Sequence, residues 1–113
     1  MLPYRYLITV FQRFATGIGT SSEDPVITRC FSIPFVPHPQ MYLHPDGEDD
    51  DEICLEDAEI HYFEKSNEFK CWLPPIKVQK DRTVERLKEI IEEWISRGWS
   101  VYLYGKLEGV LYK

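Results

Sequence analysis

The feature that most constrains the fold of this 113-residue chain is one stretch of helical periodicity near its C-terminal end. Six apolar residues recur there at the spacing of a single helix face: Val84, Leu87, Ile90, Ile91, Trp94 and Ile95. A stripe with a 3.6-residue period buries one side of a helix against the rest of a domain. Gly98 then stands where a glycine commonly ends a helix. The pattern predicts one amphipathic helix over about residues 82–97, with Leu87, Ile91 and Trp94 buried.

The rest of the chain is typical of short strands separated by turn signals. Six segments are rich in β-branched and aromatic residues, and most alternate apolar with polar side chains: 4–14, 26–33, 41–44, 58–64, 69–73 and 99–104. A short return strand is expected at 110–112. Strands before one helix and a hairpin after it predict an α+β fold, in which a small antiparallel or mixed β-sheet carries the long helix on one face. The length fits a single domain over residues 1–113.

Charge is distributed very unevenly along the chain. The formal net charge is −6, yet residues 46–68 alone contain eleven acidic residues and one basic residue, Lys65. An acidic protein is a poor match for phosphate backbones and for anionic membranes, so neither nucleic acid nor a membrane is an expected partner. The residues expected to bind a partner are the acidic run that begins this segment: Asp46, Glu48, Asp49, Asp50, Asp51 and Glu52. A solvated loop without a partner is the alternative, and a calcium loop is disfavoured because the acids lack EF-hand spacing.

The cysteines and histidines do not form a recognisable site. Cys30, Cys54 and Cys71 are odd in number and widely spaced, which favours free thiols in the cytoplasm over a disulfide framework. Cys30 and Cys71 are expected to face inward on strands as small apolar residues. No pair has the spacing of a zinc knuckle, so no metal ligand, catalytic residue or cofactor is predicted.

Two classes of function and one structural role remain. The favoured interpretation is a small acidic, non-catalytic interaction protein (an inhibitor, an immunity-type or an accessory protein) that binds a basic protein partner through segment 46–68 and nearby aromatic residues. The first alternative is a small enzyme or enzyme accessory subunit with a Cys, His and carboxylate site, since such groups meet in space and not in sequence. The second is a structural homodimer formed through an edge strand.

Overall fold

The structure is a computed structural model that describes residues 5–15, 24–45, 52–78 and 84–107. Within these ranges the chain is mainly β, with one short helix. The elements in chain order are β1 (Tyr6–Ala15), β2 (Val26–Ile33), β3 (Tyr42–Leu43), β4 (Ile53–Cys54), β5 (Glu59–Phe63), β6 (Glu68–Trp72), β7 (Ile76–Lys77), α1 (Val84–Ser96), β8 (Ser100–Leu103) and a 3-10 turn (Gly105–Leu107).

Six of the strands form a mixed sheet in the order β5-β6-β1-β2-β8, with β7 also paired to β1. β6 and β7 both run parallel to β1 and follow each other along it. Pro74 and Pro75 separate them, because a proline has no N–H to donate to the ladder. β5–β6 and β2–β8 are antiparallel, and β3 and β4 form a separate two-stranded sheet.

The chain divides into two compact units. The first, unit 1, comprises Met1–Phe11 and Cys30–Pro74, and the second, unit 2, comprises Gln12–Arg29 and Pro75–Lys113. The sequence prediction of a single domain stays a prediction.

The core of unit 1 is formed by apolar side chains on alternate positions of its strands. These buried residues are Ile8, Val10, Ile33, Leu43, Ile53, Leu55, Phe69 and Cys71, together with Phe11. In β6 the buried Phe69 and Cys71 alternate with half-buried residues, and three of the four exposed residues of β5 lie on the outer parity, as expected for strands with one covered face.

The helix of unit 2 ends in a Schellman motif built by the sequence Trp94 to Trp99. Gly98 adopts a φ of 104°, its N–H bonds to the Ile95 carbonyl at 3.1 Å, and the Trp99 N–H bonds to the Trp94 carbonyl at 3.3 Å. The Trp94 and Trp99 rings pack edge to face with centroids 5.1 Å apart, which supplies the apolar contact that accompanies this motif. The sequence signal for the end of the helix at Gly98 is thereby confirmed.

The predicted fold class is wrong. In place of a long helix over about 82–97 on a small sheet, the chain is mostly β, with a six-stranded sheet and one helix of 13 residues. The error comes from weighting a strong local periodicity over strand pairing, which is set by contacts between distant residues. The helix stripe itself is partly confirmed: Leu87 and Ile91 are buried, whereas Trp94 is only half-buried.

Several strands are confirmed individually. β2 has the predicted bounds, and β1, β3, β5, β6 and β8 agree with the expected segments to within two residues at each end. The return strand at 110–112 lies outside the described residues. No helix in the part of the chain that the structure describes is long and apolar enough to cross a bilayer.

Candidate functional site

The candidate site is an outer edge of unit 1, formed by β5 and the residues before and after it. β5 pairs with β6 from Glu59 opposite Trp72 to Phe63 opposite Glu68. β5 is the last strand of the sheet, and no described strand pairs with its other side. Half of its backbone N–H and C=O groups therefore point away from the sheet, where they can pair with a strand of another chain.

A tight turn holds the β5–β6 hairpin in register. Asn67 occupies the left-handed region with a φ of 53°, which asparagine tolerates better than most residues. Its N–H bonds to the Glu64 carbonyl at 3.3 Å, and its side-chain oxygen accepts a hydrogen bond of 2.7 Å from the Tyr62 hydroxyl. The turn thereby fixes the Tyr62 side chain as well as the backbone.

Two aromatic side chains on β5 are exposed although each contacts a neighbouring side chain. Tyr62 packs against the buried Phe69 ring with centroids 4.8 Å apart, while 49% of the residue stays accessible. Phe63 points to the opposite face of the strand, is 43% exposed, and carries the Lys70 ammonium 4.7 Å from its ring centroid. Aromatic side chains held rigidly at a surface lose little conformational entropy on binding, which is one reason they are frequent at interface hot spots.

The segment that contains these rings is rich in carboxylates. Five described acids of segment 46–68 are exposed: Glu52, Glu56, Asp57, Glu59 and Glu64. None of the five forms an ion pair or a side-chain hydrogen bond within the described ranges. A sixth, Glu68, is half-buried and accepts a hydrogen bond of 2.9 Å from the Thr9 hydroxyl. We call β5, its two exposed rings and the five exposed carboxylates the acidic edge.

The residues predicted to bind a partner are only partly described. Asp46, Glu48, Asp49, Asp50 and Asp51 lie outside the described residues. Glu52 is described and exposed, and belongs to the acidic edge. The sequence did not single out Tyr62 and Phe63 as contact residues, because alternation along a strand does not tell whether it lies at the edge or the centre of a sheet.

The thiols differ from one another in their surroundings. All three cysteines are free, but Cys30 is exposed, Cys54 half-buried and Cys71 buried. Burial raises the pKa of the Cys71 thiol to about 11, which keeps it protonated and unreactive. The inward orientation predicted for Cys71 is confirmed and that for Cys30 is wrong. The exposed Cys30 sulfur lies 3.6 Å from the Thr9 hydroxyl.

The described histidines, His38, His44 and His61, are all exposed. In residues 5–15, 24–45, 52–78 and 84–107, no group of three His, Cys, Asp or Glu side chains is arranged to hold a metal ion. The arrangement that the acidic edge does offer is suited to contact with another chain. Comparisons with protein-family models, with curated proteins and with solved structures each find no match to this chain.

Proposed function

We propose that this chain is a non-catalytic interaction protein that binds a basic protein partner through the acidic edge and through the acidic run 46–52, which precedes β5 in the sequence. The observation that carries this proposal is an edge strand with two exposed aromatic rings, in a segment whose five exposed carboxylates form no ion pair within the described residues. The sequence alone gives the excess of acidic residues in segment 46–68, and the structure adds an edge strand and two exposed aromatic rings within the same segment.

Each part of the acidic edge has a separate physical role in this proposal. An extended segment of the partner pairs with the open side of β5 through main-chain hydrogen bonds. Tyr62 and Phe63 lie on opposite faces of β5, so each contacts side chains of the partner on its own face. The carboxylates attract a basic partner and raise its association rate, an effect that salt screens beyond roughly 8–10 Å. The free cysteines are consistent with the cytoplasmic location that we propose from the sequence.

The experiment begins with affinity capture from the native host's lysate at low and high salt, which identifies a partner whose association kinetics are then measured. Tyr62→Ala is expected to weaken binding at least about tenfold, mainly through faster dissociation. Tyr102→Ala is the matched control, since Tyr102 is a 54% exposed tyrosine on β8.

A second pair of variants separates steering from contact. The double variant Glu59→Gln/Glu64→Gln should slow association with the partner at low salt. The control double variant Glu85→Gln/Glu92→Gln removes the same charge from the exposed surface of α1 and should change the association rate less. The proposal fails if both pairs behave alike and Tyr62→Ala binds as the wild type does. A concentration-dependent homodimer that Tyr62→Ala dissociates would instead assign the edge to self-association.

A further inference from the structure

A groove of about 240 Å³ lies in unit 1, on residues that the acidic edge does not include. It is formed by the end of β2 with Pro34 and Phe35, which follow that strand, and by β3 with His44 and Pro45, which follow it. Its lining combines aromatic and apolar side chains with polar and basic ones, and includes Arg5, Ser32, Phe35, Tyr42, Leu43 and His44. Leu43 is buried, while Phe35 and Tyr42 keep 41% and 55% of their surface accessible. The exposed rings therefore form walls that are open to solvent.

Arg5 is held in a fixed orientation beside these walls. Its Nε donates to the Ser32 hydroxyl at 3.1 Å, and one terminal nitrogen, Nη2, donates to the Ser32 carbonyl at 2.9 Å. A guanidinium has five N–H donors, so the Nη1 group remains available for an additional acceptor. No carboxylate of the described residues forms an ion pair with Arg5. A preorganised cation with spare donors and no anionic partner is suited to bind a carboxylate.

We propose that this groove binds a small organic carboxylate that carries one aromatic ring. The carboxylate accepts charge-assisted hydrogen bonds from Arg5, and the ring lies against Phe35 and Tyr42. The volume sets the size of the ligand, because pockets for drug-sized molecules enclose roughly 300–1,000 Å³. The lining of this groove shares no residue with the acidic edge, and the groove selects the opposite charge.

Acidic residues near the Tyr42 hydroxyl influence the orientation of the ligand in the groove. A hydrogen bond with Cys54 and the negative potential of nearby Glu56 and Glu52 raise the pKa of the Tyr42 hydroxyl above its ordinary value. These carboxylates are outside the lining of the groove but repel an anion placed at the hydroxyl end of Tyr42. The carboxylate of the ligand therefore lies against Arg5 and not against the Tyr42 hydroxyl.

The test is a titration of the full chain with 3-phenylpropionate, followed by amide chemical shifts in NMR. The expected result is saturable binding with shifts centred on Phe35, Tyr42 and His44. The neutral isostere 3-phenylpropionamide should bind at least about tenfold more weakly, because it cannot form a charge-assisted bond with Arg5. Arg5→Gln should weaken binding of the acid about tenfold or more and leave that of the amide nearly unchanged. Arg86→Gln, which removes an exposed arginine of α1, is the control.

Phe35→Ala provides a second variant that acts through the wall of the groove and not through charge. It should weaken binding of the acid and of the amide ligand by similar factors, while the backbone NMR spectrum of the protein away from the groove remains that of the wild type. The proposal is overturned if neither compound binds at millimolar concentration, if acid and amide bind equally, or if Arg5→Gln binds the acid unchanged. Tighter binding of a peptide that ends in a free phenylalanine carboxylate than of 3-phenylpropionate would also overturn it, by assigning the groove to a peptide terminus.

Discussion

Gly98 ends the helix of unit 2, and replacing it with alanine tests how much stability that end contributes. The φ of 104° is a conformation that residues with a Cβ rarely adopt, and forcing one into the left-handed region costs about 1–2 kcal/mol. A Cβ at this position would also lie 3.1 Å from the Cζ and 3.2 Å from the Nη2 of Arg29. Arg29 is a buried residue whose Nη1 donates to the Arg97 carbonyl at 2.9 Å, so its displacement strains a bond to the C-terminal end of the helix.

The backbone strain and the displacement of Arg29 together should cause a measurable loss of stability. A hydrogen bond to a charged group contributes about 1.5–3 kcal/mol, and alanine restores about 0.4–1 kcal/mol by restricting the unfolded chain. Gly98→Ala should therefore lower the free energy of unfolding by about 2–4 kcal/mol, which shifts a urea midpoint by roughly 1–2 M for a chain of this size.

A double-mutant cycle separates the backbone contribution from the contact with Arg29. In an Arg29→Ala background the cost of Gly98→Ala should fall to about 1 kcal/mol, because only the backbone contribution remains. Equal costs in the two backgrounds would refute the steric argument, and a loss below about 0.5 kcal/mol in the wild-type background would refute the assigned role of Gly98.

Four further expectations follow from the burial and charge of other residues. Trp94→Ala should cost about 2–3 kcal/mol in a urea melt, less than the 3–5 kcal/mol of a fully buried ring, because Trp94 is half-buried against Phe14 and Trp99. In the folded protein at pH 8, iodoacetamide should modify Cys30 rapidly and Cys71 very slowly, as mass spectrometry of the peptides would show. The folded state disfavours the Cys71 thiolate, so the pKa of this thiol is higher in the folded than in the unfolded chain. The stability that the buried thiol contributes is complete below the unfolded pKa and is lost as the pH rises from about 9 toward about 11. Cys71→Ala should reduce this dependence of stability on pH. The triple change Asp49→Asn, Asp50→Asn and Asp51→Asn should leave the melting temperature nearly unchanged and slow association with a basic partner at low salt; an unchanged association rate would reduce the acidic run to a solvated loop.

The sequence predicted local features better than distant pairings. β2 and the end of α1 could be located because Pro34 and Gly98 act within a few residues of themselves. The sequence did not predict that β1 pairs in parallel with β6, nor that β7 exists, because nothing within a strand specifies which distant strand it pairs with.

The orientation of Cys30 shows a different kind of failure. The sequence predicted an inward Cys30 because cysteine packs as a small apolar residue, whereas the structure buries Arg29 and exposes Cys30. The guanidinium of the buried Arg29 bonds to the Arg97 carbonyl, a partner 68 residues away, and this bond offsets part of the cost of burying the charge. A buried charge with a distant partner cannot be recognised from its strand alone.

For a comparable reason, only part of the acidic edge could be predicted from the sequence. Charge is a property of composition, so the excess of acids in 46–68 was visible without a structure. Exposure of Tyr62 and Phe63 depends on β5 being the last strand, and the availability of Arg5 depends on Ser32 orienting it without a carboxylate nearby. Both depend on contacts between residues far apart in the sequence.

Glu56 connects the two proposed sites, because it belongs to the acidic edge and also acts on the Tyr42 hydroxyl beside the groove. Neutralising it should therefore change the two binding activities in opposite directions. Glu56→Gln removes an attraction for a basic protein and a repulsion for an organic anion, so association of the protein should slow while 3-phenylpropionate binds slightly more tightly. Both changes should shrink as salt is added. Glu92→Gln, which removes an exposed acid of α1, is the control and should affect neither strongly. A change in the same direction for both activities would show that Glu56→Gln acts through the fold, and the electrostatic argument for both sites would lose its support.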